Sequence, residues 1–286
     1  MSKTILVDIN NLLMIVRHAE LPKEKKEQYG KELLLSRTIN FTCDLVSKYN
    51  GDKVIVAFEG GNNWRYNVLQ EYKAHRDREV DIYRNEIIET LNTLFEFFDE
   101  YTNFHAIKCD ESEADDVIAI AVQENPEQEF VILSADKDFL PLISDKVTLY
   151  SPAQKKEREI DGDPEFVSFM KAIRGDTSDN IRSAFPRVRE TKLRKAWEDD
   201  YEMKNLMETK RKEDDRTVGE VYQINKKLTD LTQQPDYIRD RIKSALNRPP
   251  HLGYNQMKTL RYLRDQNIAE YLEDNYSRIA KVLRIH

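Results

Sequence analysis

The first half of the chain alternates short apolar runs with amphipathic stretches, and the second half loses that alternation. Thr4 to Ile9 (TILVDI) and Lys53 to Phe58 (KVIVAF) are β-branched and apolar, the mark of strands. Phe104 to Cys109, Glu129 to Ala135 and Lys146 to Ser151 predict three more. Between them, Lys31 to Tyr49 places Leu34, Thr38, Phe41 and Leu45 at helical spacing, and Asp81 to Tyr101 puts Ile87, Ile88, Leu91, Leu94, Phe95 and Phe98 on one helical stripe. Ser112 to Glu124 predicts a helix and Lys137 to Ile143 a shorter one, while the charged stretch Leu21 to Lys31 reads as a loop. Strands alternating with helices imply an α/β fold built on a mostly parallel sheet.

Beyond Pro152 the pattern changes. Pro164 to Arg174 and nearly everything after Arg187 reads as charged helix, so the expected organisation is an α/β domain over residues 1–155 and a helical domain over 156–286. Within the latter, Glu208 to Thr217 (ETKRKEDDRT) has no apolar residue and reads as an exposed helix or a mobile connection to Gly219.

A hydrophobic fraction of 40% over 286 residues supports a globular core. Two cysteines and five histidines match neither a disulfide framework nor a zinc motif, and no apolar run is long enough to span a bilayer. A cytoplasmic protein that neither is secreted nor crosses a membrane is expected. The net charge of −7 argues against a polyanionic substrate only until the acids are located. Nine of them cluster, and without those nine the remainder is about +2.

The clustered acids stand where strand-like runs end: Asp8, Glu59, then Glu113, Asp115 and Asp116, then Asp136 and Asp138, with Asp176 and Asp179 further on. In open parallel sheets ligands bind beyond the carboxyl ends of strands, so these positions can converge. Each acid alone also fits a bland role, since Ser112 to Asp115 has a capping-box pattern and Asp136, Asp176 and Asp179 suit caps or turns. Caps need one acid, and these sites carry two or three. A shared divalent cation is the simplest account, and donors made of carboxylate and water select a hard ion such as Mg²⁺, with Mn²⁺ as a substitute. Two such ions support in-line displacement at phosphorus without a protein nucleophile. The basic counterpart is Trp64-Arg65 followed by Tyr72-Lys73-Ala74-His75-Arg76, which one helix could present on a broad face with Trp64 and Tyr72 free to stack.

These residues resemble the 5′ nuclease superfamily of flap endonucleases, polymerase I exonuclease domains and phage 5′ to 3′ exonucleases, and within it the T-even type of phage ribonuclease H. The matching pieces are LVDIN around Asp8, VAFEGGNNWR around Glu59, W-R-x6-Y-K-x-x-R from Trp64 to Arg76, SEADD at Ser112 to Asp116, SADKDF at Ser134 to Phe139 and GDTSDNI at Gly175 to Ile181. The resemblance implies a PIN-like nuclease domain with a helical arch around 64–101 and a duplex-binding segment around 175–197. It implies that Asp8, Glu113, Asp115, Asp136 and Asp138 bind two metals, that Asp116, Asp176 and Asp179 complete the acidic site, and that Lys73 and Arg76 contact the scissile phosphate. Glu59 stands where the family usually has Asp, and its reach to a metal is direct or through water. No glycine occurs between Gly175 and Gly219, where cellular members carry a glycine-rich turn that grips duplex and often a K⁺ ion. Arg182, Arg187, Arg189, Lys192, Arg194 and Lys195 stand there against one acid, Glu190, so side chains are expected to hold the duplex, joined by Arg65 near the site.

The expected function is a two-metal 5′-3′ exonuclease and flap endonuclease, with ribonuclease H-type activity on RNA–DNA hybrid, that removes RNA primers and adjoining DNA during phage replication. Its expected substrates are RNA–DNA hybrid, duplex and 5′-flap DNA, it acts as a monomer, and a single-stranded DNA-binding protein or sliding clamp is the partner the resemblance suggests. The rivals are a PIN-like ribonuclease acting on single-stranded RNA and a catalytically silent DNA-binding protein.

Overall fold

A computed structural model describes residues 2–20, 30–74 and 84–285. Its strands are β1 (Lys3–Asp8), β2 (Lys53–Phe58), β3 (His105–Lys108), β4 (Glu129–Leu133), β5 (Val147–Ser151) and β6 (Lys156–Glu157). They form one sheet in the order β3-β2-β1-β4-β5-β6, parallel throughout except for β6. The two-residue β6, which folds back on the end of β5, has no counterpart in the sequence pattern because it is too short to carry one. The chain leaves β1 toward β2 on one side and later returns to place β4 on the other, so the crevice of the fold opens at the carboxyl end of β1.

Two apolar layers cover the sheet, which explains why the strands read as unbroken apolar runs. On one face Ile5, Val7, Val54, Val56, Val131 and Leu133 pack with α1 (Ile9–Ile15), α2 (Lys31–Tyr49) and α3 (Arg84–Glu100). On the other, Leu6, Ile55, Ala57, Phe130 and Ile132 meet α4 (Ala114–Gln123). A third cluster, with Phe166, Phe169, Leu193, Leu206 and Val221, joins α5 (Pro164–Arg174), α6 (Glu190–Glu198), α7 (Asp200–Glu208) and α8 (Val218–Thr229). The remaining helices return to the sheet. Ile238 and Ile242 of α9 (Asp236–Leu246) enter the second layer, and Leu263, Leu272 and Ile279 of α10 (Gln256–Asp265), α11 (Ala269–Leu272) and α12 (Tyr276–Val282) enter the first, so packing crosses the boundary expected near residue 155.

The short helix expected at Lys137 to Ile143 is present as a 3-10 helix over Lys137–Leu142 that contains Pro141. Two local expectations change. Glu208 to Thr217 is neither helix nor open connection, because Lys210 and Thr217 pair in an antiparallel bridge. The basic stretch after Glu59 is a 3-10 turn at Trp64–Asn67 followed by turns through Ala74, so the single helical face expected for Arg65, Lys73 and Arg76 does not form over the described part. Arg76 and the loop expected from Leu21 lie in or begin among residues outside the described ones, as do 81–83 of the expected arch helix. Among the described residues, no helix is long and apolar enough to cross a membrane.

Candidate metal centre

Asp8 ends β1 and caps α1, accepting a hydrogen bond from the Asn11 N–H at 3.1 Å. Its other oxygen accepts from the Ser134 hydroxyl at 2.7 Å, and that hydroxyl in turn accepts from the Asp136 N–H at 3.1 Å. The Asn11 side chain accepts from the Ala135 N–H at 2.9 Å, so the ends of β1 and β4 are stitched together by short side chains. Asp136 caps the 3-10 turn through the Asp138 N–H at 2.9 Å, which fixes the D-K-D spacing on one side of the crevice. Across it, α4 begins at Glu113 and delivers Asp115. Asp115, Asp136 and Asp138 each offer a carboxylate oxygen within 4.8 Å of the others.

Three carboxyl groups of this crevice, Asp8, Asp115 and Asp138, are shifted toward their neutral forms. Burial pushes Asp8 up to about 7 against its hydrogen bonds from Ser134 and Asn11, with the charges of Asp136 and Glu59 adding to the rise. Burial likewise raises Asp115 well above the ordinary carboxylate range, helped by Asp8, Glu113 and Asp136 and opposed by Lys73. Asp138 is raised to about 6 by burial, while Lys171 works in the opposite direction. Like charges crowded in low dielectric cause such shifts, and added positive charge relieves them.

Two lysines supply part of that charge. Lys73, in a left-handed conformation at φ 54°, contacts Glu113 through its ammonium group, and its backbone N–H donates to the Asp179 carbonyl at 2.9 Å. A non-glycine residue there stores roughly 1 kcal/mol of strain or more, held by the surrounding bonds. Tyr72 spans the same groups, with its hydroxyl 3.2 Å from both Glu113 and Asp179. Asn180 donates to the Glu71 carbonyl at 2.8 Å, so the 176–180 loop is docked onto the 71–73 turn. Gly175, at φ 70°, makes that loop possible, since a Cβ there would stand 2.4 Å from the Ile181 carbonyl. Asp176 is raised by burial but brought below the usual range by Ser178 and by Lys171, whose ammonium lies 3.6 Å away. Lys171, on the last turn of α5, also contacts Asp138. The sequence reading missed it, because a lone lysine among Phe166, Phe169 and Met170 reads as a solvated interruption of a core stripe; its trace was its place one turn before Gly175.

Three expectations are corrected. Arg65 was expected to meet nucleic acid, yet its side chain is 2% exposed and grips Asp116 with two hydrogen bonds of 2.8 Å. It also lies 3.1 Å from Glu113 and donates to the Leu228 carbonyl at 3.1 Å. No phosphate reaches that guanidinium without displacing Asp116. Asp116, expected beside the chemistry, is fully buried and further accepts from the Trp64 indole at 3.2 Å and the Glu113 N–H at 3.1 Å. Burial alone would raise it, but Arg65 holds it below the ordinary range. The pair orients Glu113 from beneath. Trp64 and Tyr72, expected to stack on bases, are buried, and Tyr66 is the ring of this turn that faces solvent.

Glu59 is exposed just past the end of β2, beside Gly60, where a Cβ would stand 1.8 Å from the Cys109 carbonyl; that close approach brings the end of β2 against the segment leading to Glu113. Arg182, Arg187, Arg189, Lys192, Arg194 and Lys195 are all exposed. Arg194 pairs with Glu190 at 3.4 Å, Lys195 contacts Glu202, and Arg182 approaches Glu71 at 4.0 Å. Arg187 and Arg189 carry no ion pair among the described residues.

The family model for the 5′-3′ exonuclease, N-terminal resolvase-like domain, matches residues 3–170. A 5′-3′ exonuclease of Mycoplasmopsis pulmonis is 29% identical over 148 residues, 48% of this chain and 48% of that protein. The flap endonuclease of Escherichia phage T5 is 29% identical over 189 residues, covering 59% of this chain and 64% of that protein. These matches therefore span less than two thirds of either relative. Among solved structures, a T5 flap endonuclease in a pseudo-enzyme-product complex with DNA and metal ions superposes with a TM-score of 0.64 at 22% identity, covering 94% of this chain and 99% of that one. A T5 5′-exonuclease with divalent zinc ions bound gives 0.65 at 23% identity, over 93% and 99%. At such identities the likeness is one of fold.

Proposed function

Because the chain belongs to the 5′-3′ exonuclease family through its N-terminal resolvase-like domain, we propose that it is a metal-dependent, structure-specific 5′ nuclease acting on 5′ flaps, duplex ends and RNA–DNA hybrid. The observation that carries this reading is the convergence of Asp115, Asp136 and Asp138 within 4.8 Å, flanked by Asp8. The donors are all oxygens, and Asp8, Asp115 and Asp138 are raised first by burial and then by neighbouring carboxylates, a cost that hard divalent cations, Mg²⁺ or Mn²⁺, would offset. Such ions would supply an activated water and offset charge on the leaving oxygen.

The protein's own residues then divide the work. Asp8, Asp115, Asp136 and Asp138 hold the cations, with Glu113, Asp176, Asp179 and Glu59 on the outer edge, directly or through water. Lys73 places a positive charge against the scissile phosphate from the turn that Asp179 anchors. The exposed basic side chains from Arg182 to Lys195 hold the duplex in the manner of phosphate contacts, which position without reading sequence. The cellular task we assign is removal of RNA primers with adjoining DNA in phage replication, beside a single-stranded DNA-binding protein or clamp.

End-labelled flapped, nicked and RNA-primed duplexes, with single-stranded RNA as control, test this in Mg²⁺ and in chelator. Cation-dependent release of 5′ products from the duplex substrates is expected. Cleavage of single-stranded RNA alone, or binding without turnover, refutes it.

A further inference from the structure

The 209–218 segment turns back on itself: Lys210 pairs with Thr217, the Arg211 N–H donates to the Arg216 carbonyl at 3.1 Å, and the Val218 N–H donates to the Thr209 carbonyl at 2.9 Å. From this hairpin the Arg211 side chain, only 4% exposed, reaches the loop between the 176–180 turn and α6. Its Nη1 donates to the Ser183 carbonyl at 2.8 Å and the Ala184 carbonyl at 3.1 Å, and its Nε donates to Asp214 at 3.1 Å. Asp214 also binds Arg216 at 2.7 Å, which fixes the carboxylate that steadies Arg211.

One residue earlier, the Arg182 carbonyl accepts from the Asn225 side chain at 2.8 Å. Three successive carbonyls, at 182, 183 and 184, are thus held by side chains from α8 and the hairpin rather than by backbone partners. The Ser183 and Ala184 carbonyls converge on the buried Arg211 guanidinium, which answers their partial negative charge with donors in a rigid plane. The loop so fixed carries Arg182, Arg187 and Arg189, with Arg187 at φ 58° in a stretch that has no glycine to relax it.

We propose that Arg211 is a positioning residue for duplex recognition: a built-in cation that sets the 182–189 loop so that Arg187 and Arg189 meet neighbouring phosphates. This rests on the reading of that loop as a duplex-binding face. Because Arg211 is buried, it touches no nucleic acid itself and acts through the loop.

The test measures duplex affinity by anisotropy for the full chain, for Arg211→Ala and Arg211→Lys, and for each beside Arg187→Glu/Arg189→Glu. Arg211→Ala is expected to weaken duplex binding roughly tenfold and to flatten its salt dependence, while single-stranded DNA binding changes little. Low, non-denaturing guanidinium is expected to restore part of the loss where NaCl of equal ionic strength does not. Arg211→Lys keeps the charge and loses the fork, so it is expected to fall between the two and serves if the alanine variant folds poorly. In the Arg187→Glu/Arg189→Glu background, removing Arg211 is expected to cost no more than about twofold. A loss of equal size in both backgrounds, or Arg211→Ala and Arg211→Lys both within about twofold of the unaltered chain, overturns the proposal. If Arg187→Glu/Arg189→Glu leaves duplex affinity unchanged, the duplex-binding face itself is wrong and the proposal falls with it.

Discussion

Arg65→Met removes the guanidinium from beneath Asp116 and Glu113 and leaves a side chain of similar length. In the intact protein two hydrogen bonds of 2.8 Å join groups that are 2% and 0% exposed. Stripping one partner from a buried pair costs about 3–5 kcal/mol, because the remaining carboxylate stays desolvated without its cation. For a domain of this size each kcal/mol lowers the melting temperature by roughly 2–4 °C, so a fall of roughly 6–20 °C is expected. The double variant Arg65→Met/Asp116→Asn replaces charge on both sides and should recover part of that loss, a coupling on the order of 1–3 kcal/mol. The pH profile adds a sign. Arg65 holds Asp116 below its unfolded-state value, so the stabilisation is present above about pH 4 and is lost as pH falls through the lower folded-state value. Melting curves of the unaltered chain and Arg65→Met should therefore converge in acid. Thermal unfolding from pH 2 to pH 8, with duplex affinity measured alongside, checks all of this. An Arg65→Met protein of unchanged stability whose duplex affinity had collapsed would refute the argument and return Arg65 to the substrate.

Further outcomes follow from the same geometry. Lys73→Ala should slow single-turnover cleavage by roughly 10² or more with a smaller change in affinity; unchanged rates with weaker binding would make it an ordinary phosphate contact. Arg187→Glu/Arg189→Glu should flatten the salt dependence of duplex binding by about one ion per lost contact, and K⁺ should give no gain over Na⁺ at equal ionic strength; an unchanged slope or a K⁺-specific gain would contradict it. Asp8 and Asp138, at about 7 and about 6, favour their neutral forms in the fold. In chelator their contribution is therefore full below about pH 4 and lost as pH rises toward 7, an effect worth ~4 kcal/mol at most for Asp8. Divalent cation should raise the melting temperature most at pH 7, and a cation-independent, flat profile from pH 4 to 7 would disprove that.

The sequence made the α/β sheet legible because its parallel strands are buried on both faces and so read as apolar runs such as TILV and KVIVAF. The acids at the strand ends were legible for a related reason: Asp8 and Asp136 act as local caps whose spacing is written in the chain, the second capping the Asp138 N–H. Arg65 and Asp116 were misread because adjacency to basic and acidic neighbours says nothing of which side chain points inward. Trp64 faces α4 and Tyr66 faces water from the same short turn, a choice that tertiary packing makes. Lys171 and Arg211 were missed for a different reason. Each matters through a partner far along the chain or across a loop, Lys171 through Asp138 and Arg211 through the carbonyls of Ser183 and Ala184. The 208–217 segment shows the same limit, since its lack of apolar residues marked it as solvated while its one buried guanidinium ties it down.

The central claim is that the crevice acids hold cations for phosphodiester cleavage, and single-turnover cleavage of a 5′-flap duplex by Asp138→Asn at saturating Mg²⁺ tests it most directly. Asp138 reaches the three-carboxylate cluster from the rigid 3-10 turn, so the amide removes a charged donor with little change of shape. The account predicts a rate lowered by at least about 10³, with flap affinity equal to or stronger than that of the unaltered chain because a negative charge near phosphate is gone. Near-normal turnover by this variant would contradict it.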